Sequence, residues 1–111
     1  MIRFRLKTGL WVDALRRRAE QSGAYVMIMQ KGDPDAGSVC IIVEDTAREL
    51  SLYTAHTQMD GTRAWAVKKG LNPREVKDKL SSLLRMDEDM WVVEIEDREG
   101  RHFIEEPILD P

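Results

Sequence analysis

The sequence predicts an α+β domain in which an antiparallel sheet of four to six strands carries two helices on one face. Three observations point there. Two segments, about 9–22 and 73–86, repeat apolar residues at helical spacing, and several shorter segments alternate with period two. Short turns rich in Gly, Pro and Asp join successive strands, which implies antiparallel neighbours. The 111 residues fit one domain, 1–111, with elements in the order α-β-β-β-(β)-α-β-(β).

The first helix shows Trp11, Ala14, Leu15, Ala19 and the stem of Arg18 on one side, with Asp13, Arg16, Arg17 and Glu20 on the other. Thr8 is the expected cap and Gly23 the left-handed residue after its end. Strands at 24–31 and 38–45 flank Gly32-Asp33-Pro34-Asp35-Ala36-Gly37, whose residues suit an irregular hairpin tip. A third strand covers 50–56, and after the Asp60-Gly61 turn a short return is expected at 63–67.

The second helix has the clearest start. Asn72 caps it, Pro73 opens it, and Glu75 completes a capping box. Val76, Leu80, Leu83 and Leu84 form its apolar stripe. In the strand at 90–97, Trp91, Val93 and Ile95 oppose Val92, Glu94 and Glu96. Residues 101–105 are a candidate edge strand, and Pro107 and Pro111 argue against the tail extending the sheet.

One pattern strains a two-layer picture. Val26 and Ile28 alternate with Tyr25, Met27 and Met29, and Val39, Ile41 and Val43 alternate with Cys40 and Ile42. Both faces of these strands are apolar, so something must cover the second face. The N-terminal segment, the C-terminal tail and a second copy of the chain are the candidates, which makes a homodimer an expectation.

Composition narrows the function classes. A net charge of −3 removes the usual cationic footprint of a nucleic-acid binder, so no nucleic acid is expected as partner. The single cysteine, Cys40, cannot form an internal disulfide. No apolar run suits a membrane span, and the basic Met1–Lys7 start lacks the apolar core of a signal peptide. A cytoplasmic location and no membrane partner are expected by elimination.

No phosphate loop, dinucleotide fingerprint, nucleophile elbow or zinc-ligand cluster is present. No catalytic residue, metal ligand or cofactor is therefore assigned. Cys40, among aliphatic residues, reads as core. His56 and His102 stand far apart in sequence without partners at ligand spacing. Arg16 and Arg17 can pair with Asp13 and Glu20 on the helix, or clamp an anion with their guanidinium forks. Glu94 and Glu96 project from one sheet face, as a solvated edge or as donors to a cation or a basic partner.

Three segments together, Leu10–Arg17, Lys31–Gly37 and Asp87–Asp97, resemble a bacterial family known as domain of unknown function 1491. The resemblance spans nearly the whole chain, with 57–71 matching least. It implies a small standalone bacterial domain and no particular reaction. It singles out Trp11, Arg17, Gly32, Asp33, Gly37, Trp91, Glu94 and Glu96.

Three functions compete at this level. The first is a non-enzymatic protein-interaction module that self-associates or takes an unidentified protein partner. The second is a small-ligand or anion-binding protein or enzyme using Arg16, Arg17, Lys31, Gly32, Asp33, Gly37, Glu94 and Glu96. The third is a double-stranded-RNA binder, from the order helix, three strands, helix alone.

Overall fold

The computed structural model describes residues 6–109. The elements are α1 (Thr8–Gln21), β1 (Tyr25–Gln30), β2 (Val39–Glu44), β3 (Leu50–Thr57), β4 (Arg63–Leu71), α2 (Pro73–Met86), β5 (Trp91–Glu96) and β6 (Ile108–Leu109). All six strands form one sheet in the order β1-β5-β2-β3-β4-β6.

The sheet is mixed rather than antiparallel. β5 pairs antiparallel with β1 but parallel with β2, and β6 pairs parallel with β4. The expected hairpin between β1 and β2 does not form, because β5 lies between them. The reason is burial. β2 is buried on both faces and β5 nearly so, whereas every second residue of β1 is exposed. Burial thus falls from β2 and β5, which have a strand on each side, to β1 at the edge.

The helices lie on opposite faces, not on one. Val12, Leu15 and Ala19 of α1 pack with Val39, Ile41, Val43, Trp65, Val93 and Ile95. Val76 of α2, with Leu80, Leu83 and Leu84, packs on Cys40, Ile42, Leu52 and Val92. Helix α2 is thus the cover that the two-sided strands demanded.

Local punctuation follows the sequence closely. Asn72 Oδ1 accepts from the Glu75 N–H at 2.8 Å, and Glu75 Oε1 accepts from the Asn72 N–H at 3.1 Å. Gly23 has φ +93°, and the Gly23 and Ala24 N–H groups close the last turn of α1 on the Glu20 and Ala19 carbonyls.

Three local expectations change. The residue before α1 is Lys7, with no side-chain cap. Thr8 is instead buried inside the first turn, where its hydroxyl donates to the Gly37 carbonyl at 2.8 Å. The return after Gly61 is a full nine-residue strand. Residues 101–105 form no strand, and the tail does extend the sheet, through Ile108–Leu109. Pro107 permits this because it precedes the strand and uses only its carbonyl, which accepts the Trp65 N–H at 2.9 Å. Residues 1–5 and Pro111 lie outside the described residues, so the readings placed on them are not addressed.

Candidate functional site

The three segments singled out in the sequence meet in space. The loop 32–37 connects β1 to β2 and lies against both the start of α1 and the turn before β5. The Asp33 N–H donates to the Asp89 carbonyl at 2.9 Å, and Trp91 Nε1 donates to the Asp33 carbonyl at 2.8 Å. The Gly9 N–H donates to the Pro34 carbonyl at 2.8 Å. Asp33 Oδ1 accepts from the Asp35 and Ala36 N–H groups, which shapes the tip from within. Ser38 Oγ donates to Asp87 Oδ2 at 2.5 Å, tying the loop to the end of α2.

Gly32 and Gly37 are required by close approach. A Cβ on Gly32 would stand 2.1 Å from the Asp89 carbonyl oxygen, and one on Gly37 would stand 2.5 Å from the same atom. Gly32, Asp33, Gly37 and Trp91 are thus accounted for as a structural knot. Lys31 is exposed beside it.

The charged residues of the anticipated ligand site are not brought together. Arg16 and Arg17 lie on the outer side of α1 and pair with Glu20 at 3.3 Å and Asp13 at 3.2 Å. Glu94 and Glu96 project from the opposite, α2-bearing face of the sheet, alternating with Val93 and Ile95 of the α1 core. A helix some 10 Å across and the sheet itself separate the two groups. Arg18 turns inward, its Nε 2.8 Å from Glu105 and its Nη2 donating to the Phe103 carbonyl at 3.0 Å.

Glu94 and Glu96 instead gain a partner that sequence reasoning missed. The parallel register of β2 on β5 sets Glu44 beside Glu96 and Ile42 beside Glu94. Carboxylate oxygens of Glu44, Glu94 and Glu96 lie within 4.8 Å of one another. Partial burial, then the charges of Glu96 and Glu44, raise the Glu94 pKa above its ordinary value. Nothing local could have revealed this, because Glu44 and Glu94 are fifty positions apart and their strands are parallel. Calcium takes about six to eight oxygens, and no calcium-loop pattern surrounds these three. The trio is an acidic surface.

That surface borders β1, which has no strand on its outer side among the described residues. Tyr25 pairs with Glu96 and Met27 with Glu94 across the β1–β5 ladder, so all four share the α2-bearing face. Helix α2 does not reach them: Tyr25 is 79% exposed, Met27 59% and Met29 55%. Next to Tyr25, a shallow polar depression of about 430 Å³ is bounded by Glu44, Glu96, Arg48 and Arg98.

The remaining candidates have structural roles. Cys40 is fully buried, and burial pushes its thiol pKa up to about 12, which leaves it without thiolate. The His102 ring packs at a tilt against Tyr53, with centroids 5.1 Å apart, and accepts the Ile104 N–H at its Nδ1, while burial and Lys69 lower its pKa. His56 is exposed near the end of β3. Asp97 also escaped attention. It is buried, takes both Nε and Nη2 of Arg101, and accepts the Glu99 and Arg101 N–H groups, so its carboxyl is held below the usual range chiefly by Arg101. Its i,i+4 spacing to Arg101 was the available signal.

Comparison with known proteins agrees with this fold. A solved structure of a DUF1491 family protein from Caulobacter crescentus CB15, a crystal structure, is 41% identical, covers 95% of this chain and 100% of its own, and superposes with a TM-score of 0.86. A solution structure of a DUF1491 family protein from the same organism is 38% identical over 97% of this chain and 100% of its own, also at 0.86. Protein Atu0922 from A. tumefaciens, at 27% identity, covers 96% of this chain and 98% of its own with a TM-score of 0.82. A comparison with curated proteins found no match. The model of the family described as protein of unknown function (DUF1491) matches residues 6–105, and with that match over most of its length the chain belongs to the DUF1491 family.

Proposed function

We propose that the protein is a cytoplasmic, non-enzymatic interaction module that self-associates through the free edge of β1. The observation that carries this reading is the outer side of β1, where a run of backbone donors and acceptors is flanked by the exposed side chains of Tyr25, Met27 and Met29. Soluble proteins blunt such an edge with charge, proline or a bulge; Tyr25–Gln30 has neither charge nor proline, and its register irregularity is confined to the end of the strand, between Ile28 and Gln30.

The strand is also self-complementary. Antiparallel pairing of two copies about Met27 sets Met27 against itself, Val26 against Ile28, and Tyr25 against Met29. Every pair across the seam is apolar. The two acidic trios do not oppose this. Their β5 strands would lie three strand spacings apart, about 14 Å, beyond a physiological Debye length of about 8 Å.

Two other readings lose their footing. The composite ligand site needs residues from opposite faces of the sheet. The RNA-binding analogy needs three strands between two helices, and four are found. No helix among the described residues is long and apolar enough to cross a membrane.

Sedimentation velocity over a range of protein concentrations tests the proposal. The expected result is a concentration-dependent dimer that Met27→Lys converts to monomer without changing the circular dichroism spectrum or the melting temperature of the monomer. A wild-type chain that stays monomeric into the hundreds of micromolar overturns self-association.

A further inference from the structure

On the α2-bearing face, the helix packs on residues of β2, β3 and β5, and a trough remains between it and strands β3 and β4. Its volume is about 620 Å³, within the range of small-molecule sites. The register explains its shape. Leu52 pairs with Lys68 and Thr54 with Ala66, so these four side chains rise on one face as the floor and rim. Leu83 and Ser82 of α2 form the facing wall. Thr54 and Ala66 are small where Leu80 and Leu84 of α2 pack elsewhere, and that difference in volume keeps the trough open.

The rim is cationic at one point. Lys68 comes from β4 and Lys79 from the facing turn of α2, and both line the same trough. The nearby Lys68, and then desolvation, lower the Lys79 pKa, while Glu75 acts in the other direction. Neither lysine takes part in an ion pair among the described residues. Two like charges side by side raise the free energy of the site unless an anion lies between them. The other titratable groups on the trough are Asp78 and His56, and Thr54 and Ser82 add hydroxyls.

From this geometry we infer that the trough between α2 and β3–β4 binds a small amphiphilic organic anion. Its apolar body lies on Leu52, Ala66 and Leu83, and its carboxylate or phosphate is shared by Lys68 and Lys79. The inference is independent of the β1 edge, which lies at the other end of the strand order from β3 and β4.

Decanoate is the test probe, with decanol supplying the same body without charge and acetate the charge without the body. Titration of the isotope-labelled full chain, followed by amide and methyl NMR, locates binding. The expected result is saturable shifts at Leu52, Thr54, Ala66 and Leu83 with decanoate, much weaker ones with decanol, and none with acetate. Lys68→Gln combined with Lys79→Gln is expected to weaken decanoate by roughly tenfold, since two charge-assisted contacts are lost. Both lysines are on the surface, so the fold tolerates the change. Met27→Lys is expected to leave decanoate binding unaltered. Octyl phosphate in place of decanoate distinguishes the two headgroup chemistries.

Three outcomes overturn the inference. Decanoate shifts that map outside the trough place the site elsewhere. Decanol binding as tightly as decanoate makes the trough a plain apolar groove of the kind a peptide side chain fills. Full decanoate affinity in the double lysine variant removes the role of the cationic rim.

Discussion

Single residues here act mainly by what they allow the backbone to do. Gly32 lets the β1–β2 connection touch the Asp89 carbonyl, so Gly32→Ala must push two backbone segments apart. The expected cost is about 3 kcal/mol, typical of overpacking a tight site. For a domain of this size that lowers the melting temperature by roughly 10–20 °C, which differential scanning calorimetry reads directly. Glu94 illustrates the electrostatic case. Its raised pKa means that the folded state holds the proton to higher pH than the unfolded chain does. The stability gained from that proton is complete below the ordinary carboxylate value, about 4.3, and is lost as pH rises through the raised one. At neutral pH the charged trio is therefore a cost, and Glu94→Gln is expected to raise stability there. The gain should vanish as pH falls below the ordinary value, and a pH series of urea denaturation midpoints checks it. Asp97 has the opposite sign: its contribution is present above the ordinary Asp value and is lost as pH falls through the lowered one.

At the scale of elements, each helix is tied down differently. The one fully buried residue of α2, Val76, lies in its first turn, so packing and the capping box together fix the start of the helix. Asn72→Ala is expected to cost about 1 kcal/mol, seen as a lower denaturant midpoint with an unchanged slope. α1 has no side-chain cap, and its first turn is held by the loop through Thr8 and Gly9. The motif Lys31–Gly37 looked like a binding loop because Gly, Asp and Pro serve turns and ligand loops alike. Its hydrogen bonds join α1 to the turn that launches β5. The charge pairs of α1 were legible for a simpler reason: partners one helical turn apart meet whatever the fold does.

For the whole molecule, the sheet has a stable middle and weaker margins. β5 and β2 are flanked by strands on both sides and covered by a helix on each face, whereas among the described residues β1 has a strand on one side only and β6 is two residues long. Amide hydrogen exchange is expected to be slowest in β5 and β2, and orders of magnitude faster on the outer side of β1 and in β6. Dimerisation through β1 would change this pattern in one place only, slowing the outward amides of β1 as protein concentration rises. Uniform exchange across the strands would contradict the layered account of stability. The two open surfaces, the β1 edge and the trough over β3–β4, sit at opposite sides of the same face because α2 is too narrow to cover six strands.

The local sequence was enough to determine the two helices, five of the six strands, the cap at Asn72, the turn at Gly23 and the inertness of Cys40. Each of these depends on residues within one or two turns of chain, or on the solvent preference of one side chain. Even the need for cover on both faces of β2 was written in its alternation. Which element supplied that cover was not, because α1 and α2 are both amphipathic and neither stripe names the face it will meet. Only the tertiary structure decided that β5 separates β1 from β2, since strand order follows from which strands can be buried on both sides, a competition among all of them. That one insertion placed Glu44 beside Glu96, set Arg16 and Arg17 on the far side of the sheet from Glu94, and left Tyr25 and Met27 at an edge.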